Sequence, residues 1–144
     1  MADRIPSELA RRIELVVLDV DGVLTDNGVF IGQSADEKVE LKRFNIMDGL
    51  GIRMLSWAGL RVVLVSGRAS AATTIRAGEL DVECFQEGSR KSPVVRRLLS
   101  EMNIDWAQMA AVADDLADLP VLQRAGLPVR WPTRRPRCGR RPRG

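Results

Sequence analysis

Two aspartates one residue apart, Asp19 and Asp21, follow the apolar run Leu15-Val16-Val17-Leu18. Ser66 closes a second apolar run, and the pair Asp114-Asp115 closes a third. Lys91 stands just ahead of the helical stretch that precedes the third run. Residues two apart on a strand point the same way, so Asp19 and Asp21 leave the chain on one side. With a further carboxylate from another strand tip they make a hard-oxygen site suited to Mg²⁺. A carboxylate is also a nucleophile toward phosphorus, forming an aspartyl-phosphate. A second carboxylate beside it can protonate the leaving oxygen and later activate water. Ser66, nearby backbone N–H groups and Lys91 can hold phosphoryl oxygens and balance their charge. Phosphoryl transfer is mostly positioning and electrostatics, so this set is chemically sufficient. The sequence contains no histidine. That excludes a Ser-His-Asp triad, a Cys-His pair and any histidine-ligated metal. Two cysteines, Cys84 and Cys138, are too few for a disulfide framework or a cysteine-rich zinc site.

The elements that must carry these residues are legible as a pattern. Short continuous apolar runs at 15–20, 61–65 and 109–113, with a weaker one at 82–85, suit strands buried on both faces. Helical patterns lie between them at 49–58, 69–80, 92–102 and 118–125, and a last strand follows at 126–129. Alternation of this kind predicts an α/β fold, a Rossmann-like, mostly parallel sheet with helices on both faces. One segment interrupts it. Val29-Phe30-Ile31 and Val39-Glu40-Leu41 flank a polar loop at 32–38, which predicts a β-hairpin inserted after the first strand, over about 27–44.

With 144 residues, 45% hydrophobic and 28% charged, the chain has the size and composition of one ordinary domain. The net charge of +3 is a property of its end. Residues 130–144 hold seven arginines, three prolines and no acid; removing those seven from 22 basic residues leaves 15 against 19 acidic, a net of −4. The expected division is therefore a domain over 1–129 and an irregular Arg/Pro-rich tail over 130–144. A nucleic-acid partner inferred from whole-chain charge would be inferred from the tail alone, and none is expected. Residues 1–12 carry Asp3 and Glu8 with no apolar stretch of leader length, and no run is long enough to span a membrane. A cytoplasmic protein is expected.

The residues themselves resemble a known superfamily. Asp19-Val20-Asp21-Gly22-Val23-Leu24-Thr25-Asp26 is similar to the first motif of the haloacid dehalogenase superfamily, Ser66-Gly67-Arg68 to its second, Lys91 to its third and Asp114-Asp115-Leu116-Ala117-Asp118 to its fourth. The segment 40–52, Glu-Leu-Lys-Arg-Phe-Asn-Ile-Met-Asp-Gly-Leu-Gly-Ile, followed by Asp118-Leu119-Pro120-Val121, resembles the cap-less, tetrameric 3-deoxy-D-manno-octulosonate 8-phosphate phosphatases within it. The resemblance covers roughly residues 13–129. It implies a Mg²⁺-dependent phosphatase of a small anionic sugar phosphate, active in lipopolysaccharide biosynthesis, with the phosphatases of sialic-acid-type 9-phosphates and a catalytically impaired relative as alternatives. Asp19 would be the nucleophile and a metal ligand. Asp21 would be the general acid/base and offer its backbone carbonyl to the metal, and Asp114 would be the third ligand. Ser66 and Lys91 would hold the phosphoryl group. Asn45, Ile46, Met47, Asp48, Gly49, Arg53, Arg68 and Arg76 would meet the sugar's carboxylate and hydroxyls, and guanidinium groups suit an acid. The resemblance also implies a homotetramer whose hairpins help to close neighbouring sites.

Two departures accompany it. Ala113 stands where the family has glycine ahead of its acid pair, and the Arg/Pro tail stands where the family adds a strand, a Gly-rich turn and a helix. The tail is accordingly expected to weaken the covering of a neighbour's site. Other residues have simpler readings. Asp115 and Asp118 can cap the next helix, and for Asp118 capping or support of the site stands beside a metal role. Met47 and Met54 suit packing, Trp57 and Trp106 a core or interface, and Cys84 an inert apolar position. A phospho-accepting receiver module also uses an acid pair, a hydroxyl and a lysine. There, however, the acceptor stands on a later strand than the pair, and no hairpin follows the first strand.

Overall fold

The computed structural model describes residues 5–35 and 37–132. Along the chain lie α1 (Ser7–Ala10), β1 (Leu15–Leu18), β2 (Thr25–Ser34), β3 (Glu37–Phe44), α2 (Ile46–Trp57), β4 (Arg61–Val65), α3 (Ala71–Leu80), β5 (Glu83–Phe85), α4 (Lys91–Met102), β6 (Met109–Ala113), α5 (Leu119–Leu122) and β7 (Leu127–Arg130). Every residue of β1 is buried. An all-apolar strand needs cover on both faces and partners on both edges. It has them: β1 lies between β4 and β6, parallel to each, in a five-stranded sheet of order β5-β4-β1-β6-β7.

Alternation along the strands divides the interior in two. Leu15, Val17, Val63, Val65, Met109 and Ala111 face α4 and α5, packing on Val94, Val95, Leu98, Leu99, Val121 and Leu122. Val16, Leu18, Val62, Leu64 and Ala110 face the other way, onto Ile52 of α2 and Ala77 and Leu80 of α3. Each fully buried Val, Leu, Ile or Met among them contributes about 1.5–3 kcal/mol. Helix ends are set by polar residues. The side chains of Asn45 and Ser70 accept from the backbone N–H groups of Met47 and Thr73. Asp81 and Asn103, both at φ 54°, turn the chain out of α3 and α4, a conformation that short polar side chains tolerate.

The α/β architecture with its inserted hairpin is as the pattern predicts, and several details differ. The hairpin is longer and tighter. β2 and β3 pair from Thr25↔Phe44 to Ser34↔Glu37, so most of the expected 32–38 loop is strand. The connection is two residues long, and Ala35 takes the positive φ, 53°, that such a turn demands. A bulge between Thr25 and Val29 accommodates the extra residues at the hairpin's base. The helix expected over 118–125 is a 3₁₀ turn (Leu116–Asp118) running into the single turn α5, with Pro120 fixing its start. Arg130 belongs to β7, and the Trp131 N–H donates to the Ala113 carbonyl at 2.8 Å. The tail beyond residue 132 lies outside the described residues. Trp106 packs at the edge of the first core, and Cys84, only half-buried, beside the second. Met47, Met54 and Trp57 are exposed on α2 and pack in neither core, because α2 turns Gly49 and Ile52 inward instead.

Candidate active site

The carboxyl ends of β1, β4 and β6 open into one cavity of about 760 Å³. The neighbours of β1, β4 and β6, are reached by connections on opposite faces of the sheet, through α2 and through α4, and such a switch point forms a crevice where α/β proteins bind ligands. Asp19 and Asp21 follow β1, Ser66 follows β4, Asp114 follows β6, and all four line the cavity with Arg68 and Lys91. The base of the hairpin, Asp26 to Val29, supplies another wall.

Lys91, the first residue of α4, reaches across the floor. Its Nζ lies 2.6 Å from Asp19 Oδ1 and 2.7 Å from Asp118 Oδ1. Asp19 Oδ1 also accepts the Val20 N–H at 2.7 Å, which leaves Oδ2 free for other chemistry. Burial drives the Asp19 carboxyl up; Lys91 opposes it, and the group settles at about 7. Burial also lowers the Lys91 ammonium, but the charges and hydrogen bonds of Asp19 and Asp118 outweigh that and hold it above its ordinary value. Burial raises Asp114 as well, reinforced by Asp115 and Asp118.

A hard cation fits this cluster. Asp19, Asp114 and Asp118 each offer a carboxylate oxygen within 4.8 Å of the others. Asp114 Oδ1 and Asp118 Oδ2 are buried with no hydrogen-bond partner among the described residues. Buried anionic oxygens of this kind need a counter-charge. The backbone makes room for them at Gly22 (φ 91°), where a Cβ would stand 2.0 Å from Asp114 Oδ2. Thr25 holds that loop closed, its Oγ1 accepting the N–H groups of Gly22 and Asn27 at 3.2 and 3.3 Å. Asp118, open between capping or support and a metal role on sequence grounds, is 2% exposed and lies inside the cluster; Asp115 is exposed, and its side chain accepts the Leu116 N–H.

Asp21 does not turn its carboxylate into this cluster. Its Oδ1 lies 2.8 Å from Lys42 Nζ. Lys42 comes from β3, and the residue two before it, Glu40, binds Arg68 Nη2 at 2.8 Å. Ser70 and then Arg68 and Lys42 hold the Glu40 carboxyl below its ordinary value. Sequence reasoning assigned Lys42 and Glu40 no role. The available signal was their spacing: residues two apart on a strand of an inserted hairpin share the face turned toward the sheet's carboxyl edge. Ser66 is 1% exposed, and its Oγ is 3.2 Å from both the N–H and the carbonyl of Arg68, so it shapes the turn that presents Arg68.

The expected substrate residues divide. Arg68 and Lys91 line the main cavity. Ile46, Gly49, Arg53 and Arg76 line a second cavity of about 380 Å³ between α2 and α3. Asn45, Met47 and Asp48 line neither. Asn45 caps α2, and its carbonyl accepts Arg76 Nη2 at 3.1 Å. Within one subunit, Arg53 and Arg76 therefore belong to a different surface from Asp19.

A parallel sheet with this strand order, an acid pair at the tip of its central strand and a hairpin directly after it is the haloacid dehalogenase fold. No family model matches the chain. It is 37% identical over 121 residues to the 3-deoxy-D-manno-octulosonate 8-phosphate phosphatase KdsC of Salmonella typhi, covering 83% of this chain and 63% of that protein. The phosphatase of the same name from Moraxella catarrhalis, solved with a magnesium ion, a phosphate ion and a KDO molecule, superposes with a TM-score of 0.81 at 31% identity, over 88% of this chain and 71% of that one. A cobalt-bound form of the enzyme from Haemophilus influenzae superposes with a TM-score of 0.72 at 33% identity, over 82% and 68%. The chain belongs to the 3-deoxy-D-manno-octulosonate 8-phosphate phosphatase family of that superfamily. It spans 63% of the length of the curated relatives it matches. No helix among the described residues is long and apolar enough to cross a membrane.

Proposed function

We propose that the chain is a Mg²⁺-dependent phosphomonoester hydrolase acting on an acidic sugar phosphate, 3-deoxy-D-manno-octulosonate 8-phosphate, in the cytoplasm. The observation that carries this is the meeting of Asp19, Asp114 and Asp118 around Lys91 on the floor of a cavity that Ser66 and Arg68 also line. The names of the relatives favour the eight-carbon acid over a nine-carbon one.

Asp19, Asp114 and Asp118, with the Asp21 backbone carbonyl, are the groups that would hold Mg²⁺. The bound ion supplies charge neutralisation between the nucleophile and an anionic phosphate. Asp19 Oδ2 attacks phosphorus; the bond to the sugar oxygen breaks as Asp21 gives that oxygen a proton, leaving an aspartyl-phosphate on Asp19. Asp21, now a carboxylate, takes a proton from water as the water oxygen attacks phosphorus. The Asp19–phosphorus bond breaks and inorganic phosphate departs. Lys91 and Ser66 hold phosphoryl oxygens through both steps, and Arg68 meets the sugar's carboxylate.

Exposed apolar side chains support assembly. Ile46, Leu50, Met54 and Trp57 run along one face of α2, and Phe30, Ile31 and Leu41 stand out from the hairpin. A homotetramer burying both surfaces is the reading we favour, with Arg53 and Arg76 serving the substrate across a subunit boundary.

The test is phosphate release from the sugar-acid phosphate and from a neutral hexose phosphate, with Mg²⁺ and with chelator. Release should require Mg²⁺ and favour the acid. Asp19→Asn keeps the side chain's size and removes the nucleophile, so the rate should fall by at least about a thousandfold. Release by that variant near the wild-type rate would refute the assignment.

A further inference from the structure

Lys42 has a side chain with no exposed surface. A fully buried ammonium needs an opposite charge or hydrogen-bond acceptors beside it. Its Nζ lies 2.8 Å from Asp21 Oδ1 as an ion pair without hydrogen-bond alignment, and it donates to Thr73 Oγ1 of α3 at 3.2 Å. Glu40 Oε1, 3.9 Å away, lies beyond hydrogen-bonding reach but adds its charge. Thr73 is itself fully buried. Three separate elements, the hairpin, the loop after β1 and α3, are thus joined at a single nitrogen. Asp21 is held asymmetrically by that nitrogen. Oδ1 is inaccessible to solvent, while the side chain as a whole is 21% exposed and lines the cavity, which leaves Oδ2 as the oxygen that faces it.

We propose that Lys42 is a positioning residue for Asp21, holding Oδ1 beside its buried charge so that Oδ2 is the atom aimed at the leaving group. This rests on the phosphatase reading above. A proton-transferring carboxyl must lie within hydrogen-bond reach of the atom it serves, and small displacements of such groups are costly. A free carboxyl on the loop between β1 and β2 has two equivalent oxygens and a rotatable side chain. The buried ammonium removes that freedom, and Thr73 and Glu40 fix the ammonium in turn.

A lysine that merely pins the hairpin would lower activity toward every substrate alike. A lysine that aims a proton donor matters most when the leaving oxygen needs a proton. Sugar alkoxides need one; p-nitrophenolate leaves without it. The experiment compares kcat/KM, which reports only the steps through transfer to Asp19, for the sugar-acid phosphate and for p-nitrophenyl phosphate. Lys42→Met keeps the length and removes the charge. Its ratio of sugar to aryl kcat/KM should fall on the order of tenfold to a hundredfold below wild type. Asp21→Asn should move the ratio the same way and further. An unchanged ratio, with both substrates slowed equally, overturns the proposal. If Lys42→Met does not melt cooperatively, Thr73→Val decides. It retains the ammonium and removes one tether, so the ratio should still fall by roughly threefold or more, and an unchanged ratio again overturns the proposal. A wild-type protein inactive on both substrates overturns the phosphatase reading itself, and this one with it.

Discussion

The Asp19 carboxyl, raised by burial from 3.8 to about 7, makes metal loading sensitive to pH in the neutral range. Mg²⁺ needs the ionised carboxylate, so below about 7 it competes with a proton on its own ligand. A single group with that pKa is about one-tenth ionised at pH 6 and about nine-tenths at pH 8. The apparent Mg²⁺ affinity should therefore rise on the order of tenfold between pH 6 and pH 8. Asp114, raised in the same direction by burial, steepens the trend. The stability of metal-free protein runs the opposite way. A carboxyl whose pKa is higher in the folded than in the unfolded chain contributes stability that is fully present below the unfolded value. That contribution is lost as pH rises through the folded one. For Asp19 the window of loss lies between 3.8 and about 7, and Mg²⁺ should restore most at its upper end. Isothermal titration with Mg²⁺ at pH 6, 7 and 8, beside thermal melts with and without the ion, measures both effects. Asp19→Asn, which cannot titrate, should flatten the affinity profile. An affinity independent of pH in the unmodified protein would refute the argument that a buried, proton-competent Asp19 is a ligand.

Two further outcomes follow from geometry. Gly22→Ala places a methyl 2.0 Å from Asp114 Oδ2 on a backbone at φ 91°; the metal-free melting temperature should fall on the order of 5 °C, from about 1–2 kcal/mol of strain, and the Mg²⁺-induced rise in melting temperature should disappear. Met54→Glu combined with Trp57→Glu puts two charges on the exposed apolar face of α2; light scattering at micromolar concentration should show a tetramer for the unmodified chain and smaller species for the variant, and an unmodified chain that is wholly monomeric would sink the interface.

Much of the architecture was legible because β1, β4 and β6 are written as unbroken apolar runs that end in polar residues. Those endings put Asp19, Ser66 and Asp114 at one edge of one sheet before any contact is known. Lys91 was legible for the same reason, standing at the start of a strongly patterned helix. Lys42 and Glu40 were not, because their partners Asp21, Thr73 and Arg68 are reached only after the hairpin folds back toward α3; their spacing tells that they share a face of the strand but not what that face meets. The hairpin's true length was hidden by polar residues at 32–34 and 37–38, which pair across a two-residue turn although their composition suits a loop. Arg53 and Arg76 were grouped with Arg68 by the family resemblance, as guanidinium partners for an acid. The fold separates them, because α2 and the facing side of α3 turn their residues into a different cavity.

Lys91 has a consequence for the order in which the protein becomes complete. Acids gathered without any cation repel one another, and a site made only of acids can tie folding to ion supply, as happens in small domains that are unfolded until zinc arrives. Here the chain carries a positive charge into the cluster when α4 docks, 2.6 Å from Asp19 and 2.7 Å from Asp118. The polypeptide is therefore expected to fold first and load an ion second, as a reversible equilibrium with the surrounding medium. If the chain is the Mg²⁺-dependent phosphatase proposed above, a shortage of magnesium would leave it idle but folded rather than unfolded.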